Sequence, residues 1–354
     1  MFAGMRVVPM AALSFLILTG APSHTLRSAA EHSGILIGTA IRTQRLSELA
    51  YATTLAREFN MVEAEDAMKW EVVHPRKDSF DFSQADRVVA FAAGHNMKVR
   101  GHTLVWHRQL PAWLTNEKRS HDELTEILER HIKTVVGHYR GQVFAWDVVN
   151  EAFDEVALGK LRSTIWYDQP GIGFARQGTA YIERCFHWAH EADPEALLFY
   201  NEAGAQAINP KSDAIYAMVR DFKHRGVPID GVGFELHISG LHPDIASISQ
   251  NMARFTALGI QVHITEMDVA LQVDSNGNAT PQDLQRQAAI YRELASVCLR
   301  YPGCTAIQTW GFTDKYSWIG SHSGNRQGAA LLFDSQYRPK LSYEALRDTL
   351  GRER

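Results

Sequence analysis

The strongest constraint on the fold is a regular alternation of short apolar runs with longer amphipathic segments. Eight apolar runs have the length of buried strands, at residues 35–41, 59–65, 98–105, 143–149, 196–200, 231–236, 261–269 and 306–312. Runs of this kind are typical of parallel strands that are covered on both faces. The segments between them place apolar residues at helical spacing. Eight strand–helix units predict a single-domain (β/α)₈ barrel, the TIM barrel, with a doubly wound open sheet as the alternative.

Local signals place several helices between these runs. Ser120 followed by Glu123 has the form of a capping box, and Pro281 lies where proline favours the first position of a helix. Ser83 is the predicted N-cap of a helix that ends at Gly94. Each of these helices lies between two predicted strands, as a barrel requires.

The first thirty residues differ in composition from the rest of the chain. Arg6 precedes a run at 7–18 that is apolar apart from Pro9 and Ser14, and small residues follow. This is the pattern of a secretory signal peptide, and its apolar part is short for a membrane span. We therefore expect a signal peptide and leader at 1–30, a catalytic domain at 31–354, and a secreted or periplasmic product that does not bind a membrane.

Composition narrows the choice of partners. The 354 residues carry a formal net charge of −4, and the 36 Lys and Arg residues are scattered along the chain. This distribution does not favour nucleic-acid binding. The hydrophobic content of 45% fits a protein with a large core, which we expect to be a monomer.

The three cysteines are consistent with export. Cys298 and Cys304 lie on either side of a turn-forming Tyr-Pro-Gly segment, and a disulfide between them is expected in an oxidising compartment. Closing so small a loop should add little through chain entropy. Cys185 lies on a helical pattern and is expected to be a small buried hydrophobe rather than a nucleophile.

Two predicted strands end in a glutamate. The run at 143–149 leads into Asn150 and Glu151, and Glu266 lies near the end of the run at 261–269. In barrel enzymes function concentrates where the strands end, at the C-terminal mouth. Two carboxyl groups at that mouth are the minimum equipment for hydrolysing a glycosidic bond.

Other predicted strand ends carry residues that suit a sugar site. Aromatic faces stack on the apolar faces of pyranose rings, and charged and amide groups bind hydroxyls. Singly, each such residue has a structural explanation, because a Trp is usually core and a Lys usually lies on the surface. Their common position after strands favours function. They are Glu65, Asp66, Lys69, His102, Trp106, Asn201, Glu235, His237, Trp310 and Trp318.

Five longer stretches resemble glycoside hydrolase family 10, the endo-β-1,4-xylanases. They are residues 78–86, 100–107, 146–153, 264–268 and 309–318. The resemblance extends over almost everything between residues 35 and 343, and the stretches at 100–107 and 309–318, after the third and eighth predicted strands, are long enough to be very specific. It implies a (β/α)₈ barrel that acts on xylan or xylo-oligosaccharides without a metal or cofactor.

The resemblance also implies roles for individual residues. Glu151 would be the general acid/base and Glu266 the nucleophile of a retaining mechanism, with their carboxyl groups about 5–5.5 Å apart. Asn150 would bond the sugar 2-hydroxyl. His237 would contact Glu266, and Asp268 would hold the imidazole. The glycone subsites would be lined by Glu65, Asp66, Lys69, His102, Trp106, Gln109, Trp310 and Trp318.

Three positions depart from the family pattern. Asp66 stands where Asn is usual, and Glu235 stands where Gln is usual. After the fifth strand, where Asn-Asp-Tyr-Asn is common, the chain reads Asn-Glu-Ala-Gly at 201–204. The first two changes bring an extra carboxyl group near the pocket, and the third removes an aromatic residue from the leaving-group side. We therefore hypothesise that Glu235 perturbs the titration of Glu266.

Three other functions remain open. A metal-dependent hydrolase is disfavoured because His102 and His107, five apart on one predicted strand, would face opposite sides. A non-catalytic carbohydrate-binding barrel would need no pair of acids. A relative acting on another β-glycan, such as an aryl cellobioside or β-1,3-xylan, is the third, although Lys69 and Trp318 in the resembling family favour sugars that lack a hydroxymethyl group.

Overall fold

The computed structural model of the chain describes residues 25–157 and 159–352. Residues 1–24 of the predicted signal peptide and leader lie outside the described residues. Within them, no helix combines the length and apolarity needed to cross a bilayer.

The central feature is a closed barrel of eight parallel strands in sequence order. The last strand pairs with the first, with Ala306 opposite Leu36, and this pairing closes the barrel. The predicted (β/α)₈ fold is therefore confirmed, and the open-sheet alternative is wrong. The strands are β1 Leu36–Ile41, β2 Met61–Ala64, β3 Lys98–Gly101, β4 Ala145–Asn150, β5 Leu197–Ala203, β6 Gly231–Ile238, β7 Gln261–Val269 and β8 Cys304–Thr309.

Helices surround this barrel. The α-helices are α1 Leu26–Ser33, α2 Leu49–Glu58, α3 Trp70–Val73, α4 Ser83–Gly94, α5 Ala112–Thr115, α6 His121–His138, α7 Ala180–Ala192, α8 Pro210–Arg225, α9 Ile245–Thr256, α10 Pro281–Arg300, α11 Ile319–His322 and α12 Leu341–Leu350. Two 3₁₀ turns lie at Thr43–Ser47 and Asp314–Tyr316, and Leu271–Gln272 pairs with Gln327–Gly328 in a small antiparallel sheet.

The local helix signals are mostly confirmed. Ser120 and Glu123 form both hydrogen bonds of a capping box at the start of α6, and Pro281 is the first residue of α10. Ser83, predicted as an N-cap, is instead the first residue of α4. The side chain of Asp81 accepts a hydrogen bond from the backbone amide of Ser83 at 3.0 Å, and this bond supplies the capping interaction.

The folded domain begins earlier than predicted. Helix α1 has Thr25 as its N-cap, and Leu26 and Ala30 are completely buried. The backbone amide of Leu26 also donates to the buried carboxylate of Glu58 at 3.0 Å. The boundary predicted at residue 31 is therefore too late, because the apolar face of α1 is part of the core.

The disulfide is present as predicted. Cys298 and Cys304 are bonded, with their Cα atoms 5.2 Å apart, and they join the end of α10 to the start of β8. Cys185 is a free, completely buried thiol on α7. Its burial raises its pKa, which agrees with the predicted role as a packing residue.

Strand lengths differ from prediction mainly at the mouth. β2 and β3 end at Ala64 and Gly101, earlier than predicted, and the chain then leaves the sheet in loops that carry the predicted sugar-binding residues. β5 and β6 continue to Ala203 and Ile238. The longer strands place Asn201 and His237, which lay beyond the predicted strand ends, on strand backbone rather than in loops.

Candidate active site

Both glutamates lie at the C-terminal mouth in strained backbone. Glu151 directly follows β4 and has a φ of 51°, and Glu266 lies in β7 with a φ of 59°. Positive φ is uncommon for residues other than glycine and is retained only where the surroundings hold it in place. Around Glu266 the register of β7 against β8 also shifts, between Ile264 and Met267. The backbone therefore turns each glutamate out of its regular strand direction.

Glu266 lies in a chain of buried hydrogen bonds. His237 Nε2 is 3.2 Å from a Glu266 carboxylate oxygen, and His237 Nδ1 is 3.0 Å from Asp268. Trp318 Nε1 donates to the same Asp268 oxygen at 2.8 Å. The structure thus brings together the predicted nucleophile, its histidine and the aspartate that orients the imidazole.

These contacts set the charges of Glu266 and His237. Burial alone would lower the pKa of His237, but the charge and hydrogen bond of Asp268 outweigh it and raise the pKa to about 10. Burial would raise the pKa of Glu266, but the hydrogen bond from His237 and the charge of His102 lower it below its ordinary value. A carboxylate beside a histidinium is therefore the stable state at neutral pH.

Asn201 connects the two glutamate strands. Its Nδ2 atom lies 2.8 Å from Asn150 Oδ1, 2.9 Å from Glu235 Oε1 and 2.8 Å from Glu266 Oε1. Its Oδ1 accepts from Thr265 at 2.7 Å. A Cβ at Gly233 would lie 1.9 Å from that oxygen, so the neighbouring strand needs glycine there. One buried amide therefore fixes the residue before Glu151 relative to Glu266.

Glu235 is the unusual member of this group. Glu235 is 2% exposed, and one of its carboxylate oxygens lies within 4.8 Å of a carboxylate oxygen of Glu266 and of a ring nitrogen of His237. Burial, together with the negative charges of Glu266 and Glu151, raises the pKa of Glu235 well above its ordinary value. Since His237 holds Glu266 ionised, the proton belongs on Glu235. The extra carboxyl near the pocket therefore holds a proton more readily than Glu266 does.

Glu151 has simpler surroundings. Trp106 Nε1 donates to its carboxylate at 2.9 Å, and His107 Nδ1 is 4.0 Å away. Burial lowers the pKa of His107 to about 4, so this imidazole is neutral at neutral pH. Arg162 donates to the backbone oxygen of Glu151 at 3.2 Å. The hydrogen bond to the Glu151 carboxylate therefore comes from a neutral donor, Trp106, and the imidazole nearest to it is uncharged.

One wall of the site, the glycone wall, is formed by the predicted residues Lys69, His102, Trp106 and Trp310. Lys69 is 5% exposed, and its Nζ lies 4.8 Å from the Trp106 ring centre and 5.6 Å from that of Trp310. His102 lies edge-on to Trp310, with ring centres 5.4 Å apart. A buried cation between aromatic rings suits recognition of sugar hydroxyls and ring faces.

Asp66 is held by three neighbours. Gln109 Nε2 donates to it at 3.2 Å, and Lys69 Nζ lies 3.9 Å away. Arg42 lies 3.4 Å from Asp66 and 2.7 Å from Glu65, and sequence reasoning did not select it. The extra charge that Asp66 introduces is therefore offset by Arg42, and Glu65 is engaged by the same guanidinium.

A buried charge network beneath the mouth was also missed. His102 Nδ1 is 3.0 Å from Asp147, which is paired with Arg100. Glu63 lies 3.7 Å from His102, and burial raises its pKa to about 7. Charged residues at 63, 100 and 147 interrupt apolar strand runs, and that interruption was the available signal. The network fixes His102 from below.

One residue of the departure at 201–204, Glu202 in β5, lies behind the site rather than in it. Asn201 points towards Asn150 and Glu266. Glu202 is instead completely buried and pairs with Lys211 of α8 at 2.8 Å. Successive side chains on a strand point to opposite faces, which explains the difference. Glu202 therefore adds no charge to the sugar pocket, contrary to what its neighbour Asn201 would suggest.

Comparison with known proteins shows what the chain is similar to. A xylanase named endo-1,4-beta-xylanase B from Thermotoga neapolitana is 44% identical over 301 residues, which is 85% of this chain and 83% of the relative. A beta-1,4-xylanase from Dictyoglomus thermophilum is 40% identical over 315 residues, 87% of this chain and 86% of the relative.

Solved structures and a family model agree with these relatives. The crystal structure of xylanase 10B from Thermotoga petrophila in complex with xylobiose has a TM-score of 0.86 and 42% identity, and covers 92% of this chain and 97% of that chain. The model of glycosyl hydrolase family 10 matches residues 25–349. The match begins beside α1, in agreement with the observed start of the folded domain. The chain belongs to glycosyl hydrolase family 10.

Proposed function

We propose that this chain is an endo-1,4-β-xylanase that cleaves internal bonds of xylan with retention of configuration. The observation that carries the proposal is the unlike surroundings of the two glutamates at the barrel mouth. Glu266 is held ionised by His237, while the Glu151 carboxylate accepts a hydrogen bond from the neutral donor Trp106 and has the neutral imidazole of His107 4.0 Å away. A fixed anion opposite an acid that can gain and lose a proton is the pair that retaining hydrolysis requires.

In the first step, an ionised Glu266 oxygen attacks the anomeric carbon. The bond between that carbon and the glycosidic oxygen breaks, and Glu151 gives its proton to the departing oxygen. The products are a covalent glycosyl-enzyme on Glu266 and a shortened xylan chain with a free hydroxyl. Asn150, positioned by Asn201 at 2.8 Å, is available to bond the sugar 2-hydroxyl beside the nucleophile.

In the second step, Glu151 acts as a base. It removes a proton from water, the water oxygen bonds to the anomeric carbon, and the ester bond to Glu266 breaks. Glu151 is then protonated again and Glu266 is ionised, so both residues return to their starting states. The double inversion gives the β-anomer, and it requires the carboxyl groups to lie about 5–5.5 Å apart.

Xylan is the proposed substrate because of the relatives and the glycone wall. The relatives compared above are named xylanases, and one related structure contains xylobiose. Lys69, Trp106 and Trp310 supply a cation and aromatic faces next to the catalytic group. In the proposed complex, Glu65, Asp66, His102, Gln109 and Trp318 also line the sugar subsites.

The test is to digest linear β-1,4-xylan and follow the first product by proton NMR. The β-anomer is expected to appear first and then to mutarotate, and Glu266→Ala is expected to lose activity. An α-anomer as first product would contradict the retaining mechanism. Binding of xylan without any product would favour the carbohydrate-binding alternative. Parallel kcat/KM values for aryl β-cellobiosides and β-1,3-xylan test the other β-glycans, and full activity after exhaustive chelation is expected.

We propose further that the protein is exported and acts as a monomer. The signal-like sequence at 1–30 and the disulfide between Cys298 and Cys304 support an oxidising destination. Expression of the full chain is expected to release an N-terminally shortened protein outside the cytoplasm, detectable by mass spectrometry. Size-exclusion chromatography with light scattering is expected to give the mass of one chain.

A further inference from the structure

The backbone that follows Glu151 is attached to a buried polar cluster behind β4. The cluster consists of Tyr200 and Glu202 on β5 and Lys211 on α8, with exposed fractions of 0%, 0% and 2%. None of these three residues faces the sugar-binding wall that contains Lys69 and Trp310. Buried polar groups of this kind are costly unless all are paired, so their presence needs an explanation.

The hydrogen bonds run from the cluster to the two residues after Glu151. The amide of Ala152 donates to the Tyr200 hydroxyl at 3.1 Å, and the amide of Phe153 donates to Glu202 Oε2 at 3.1 Å. The Tyr200 hydroxyl in turn donates to the same Glu202 oxygen. Two successive backbone amides are thus held by side chains from a neighbouring strand.

Lys211 completes the cluster on its far side. Its Nζ lies 2.8 Å from Glu202 Oε1 and donates to the backbone oxygen of Ala203 at 2.8 Å. Burial raises the pKa of Glu202 to about 7 against the opposing charge of Lys211. The cation therefore balances the carboxylate in the interior and ties it to the first turn of α8.

Glu151 needs such an attachment more than Glu266 does. Its backbone has a positive φ, and among the described residues its carboxylate accepts a single side-chain hydrogen bond, from Trp106. The position of the carboxyl group therefore depends on its backbone. The backbone amide of Glu151 donates to the backbone oxygen of Asn201 at 3.0 Å, and the next two backbone amides donate to Tyr200 and Glu202 of the cluster. A strained conformation persists only where neighbouring bonds determine it in this way.

We propose that Tyr200, Glu202 and Lys211 are positioning residues that set where the Glu151 carboxyl group delivers its proton. The inference rests on the proposed function, because it assigns to Glu151 the role of acid/base. The three residues do not touch the sugar. They act through the backbone of residues 151–153.

Leaving-group dependence distinguishes this role from general stabilisation. A displaced general acid slows the departure of a leaving group that needs protonation, whereas a good leaving group departs without it. For retaining enzymes kcat/KM reports the glycosylation step, in which Glu151 acts as acid. A merely weakened fold would lower kcat/KM for both kinds of substrate alike.

The experiment compares Tyr200→Phe with the parent on phenyl β-xylobioside and 2,4-dinitrophenyl β-xylobioside. Tyr200→Phe removes the acceptor of the Ala152 amide and keeps the ring. We expect kcat/KM to fall about tenfold for the phenyl substrate and less than about twofold for the dinitrophenyl substrate. Tyr291→Phe is the matched control, because Tyr291 is also completely buried and donates one bond, at 3.0 Å, to Ala330.

Equal losses on both substrates, or the same pattern in Tyr291→Phe, would overturn the proposal. Should Tyr200→Phe fail to fold by circular dichroism, Glu202→Gln is measured in the same way with the same expected pattern. Failure of the proposed function is separately visible, since the parent would then not release sugars from xylan or from either xylobioside. If the parent is active and its variants show no leaving-group dependence, the positioning role of the cluster is rejected and the proposed function stands.

Discussion

The two glutamates proposed as catalytic are held in place in different ways. Glu266 is fixed through its carboxylate, which is bonded to His237 and Asn201 and has a side chain 6% exposed. Glu151 is fixed mainly through its backbone, and its side chain is 14% exposed with Trp106 as hydrogen-bond donor. Both have a positive φ, so the difference lies in the side-chain environment.

This difference follows from what each carboxyl group must do. A nucleophile needs one constant charge state, which a dense network of donors and a histidinium provides. An acid/base must gain and lose a proton in each cycle, and a strong cation beside it would oppose the protonated form. Attachment through the backbone places Glu151 accurately without requiring a charged partner at its carboxyl group.

The largest expected effect separates the two roles directly. Glu266→Gln should lower kcat/KM by about 10⁴-fold or more on all substrates, because no covalent intermediate can form. Glu151→Gln should lose about 10²–10⁴-fold on xylan but much less on 2,4-dinitrophenyl β-xylobioside, whose leaving group needs no proton. Steady-state kinetics of both variants on both substrates check this.

The exchanged pattern would reverse the assignment. If Glu151→Gln abolished hydrolysis of the dinitrophenyl substrate while Glu266→Gln retained it, Glu151 would be the nucleophile. Glu126→Gln, a change at an exposed position of α6, is the control and is expected to behave as the parent.

Removal of His237 should leave the Glu266 carboxylate, like that of Glu151, without a charged hydrogen-bond donor. His237→Asn is expected to lower kcat/KM by about 10²-fold at neutral pH, since the ionised Glu266 loses a hydrogen bond and a positive charge. The acid limb of the kcat/KM profile should move to higher pH, because His237 lowers the pKa of Glu266. A pH–rate profile between pH 4 and 9 measures both.

The same variant has a predicted effect on stability. The pKa of His237 is raised in the folded protein to about 10 from an ordinary value near 6.5. Its stabilisation is therefore complete below about pH 6.5 and is lost as the pH rises through about 10. Denaturant unfolding should show the parent's advantage over His237→Asn shrinking over that range. An advantage that grows with pH would mean that His237 is neutral in the folded protein.

The sequence predicted the barrel and both glutamates because the signals are local. Apolar runs identify buried strands, and a strand end identifies the mouth. The triple contact of Asn201 could not be predicted, because it depends on the register of β4, β5, β6 and β7 together. Alternation along β5 could have directed Glu202 away from the pocket, but its partner Lys211 depends on how α8 packs. Helix α1 was missed because its short amphipathic stretch adjoins the apolar leader.

Trp106→Phe tests the side-chain contact of Glu151. The variant keeps an aromatic ring for the sugar but removes the donor 2.9 Å from the carboxylate. We expect kcat/KM to fall about tenfold, as for loss of a hydrogen bond to a charged group. Steady-state kinetics of the variant and the parent on xylan measure this loss.

Trp113→Phe is the control for that measurement. Its Nε1 donates to the backbone oxygen of His74 at 3.0 Å, away from the catalytic pair. It is expected to leave kcat/KM unchanged. A kcat/KM that also stays unchanged in Trp106→Phe would show that this hydrogen bond does not contribute to catalysis.

The smallest effect on activity is expected for Glu235→Gln, which returns the usual residue of the family to this position. Glu235 keeps its proton to higher pH than Glu266 does, so the variant should keep kcat/KM within about twofold on the acid limb and diverge only on the alkaline limb. Profiles that superimpose throughout would show that Glu235 does not affect the titration of the pair.

The pH dependence of the melting temperature gives a second test of the protonation of Glu235. The folded-state pKa of Glu235 is raised well above the unfolded value, so the parent loses stability as pH rises above about 4.5, and Gln does not titrate. The Tm of Glu235→Gln should therefore match the parent's near pH 4 and exceed it at pH 8, with Glu126→Gln showing no such trend. A Tm below the parent's at pH 8 would mean that Glu235 is ionised in the folded protein and stabilised by its surroundings. In that case Glu266 would lie beside a second anion, and the contrast between the two catalytic glutamates would need a different explanation.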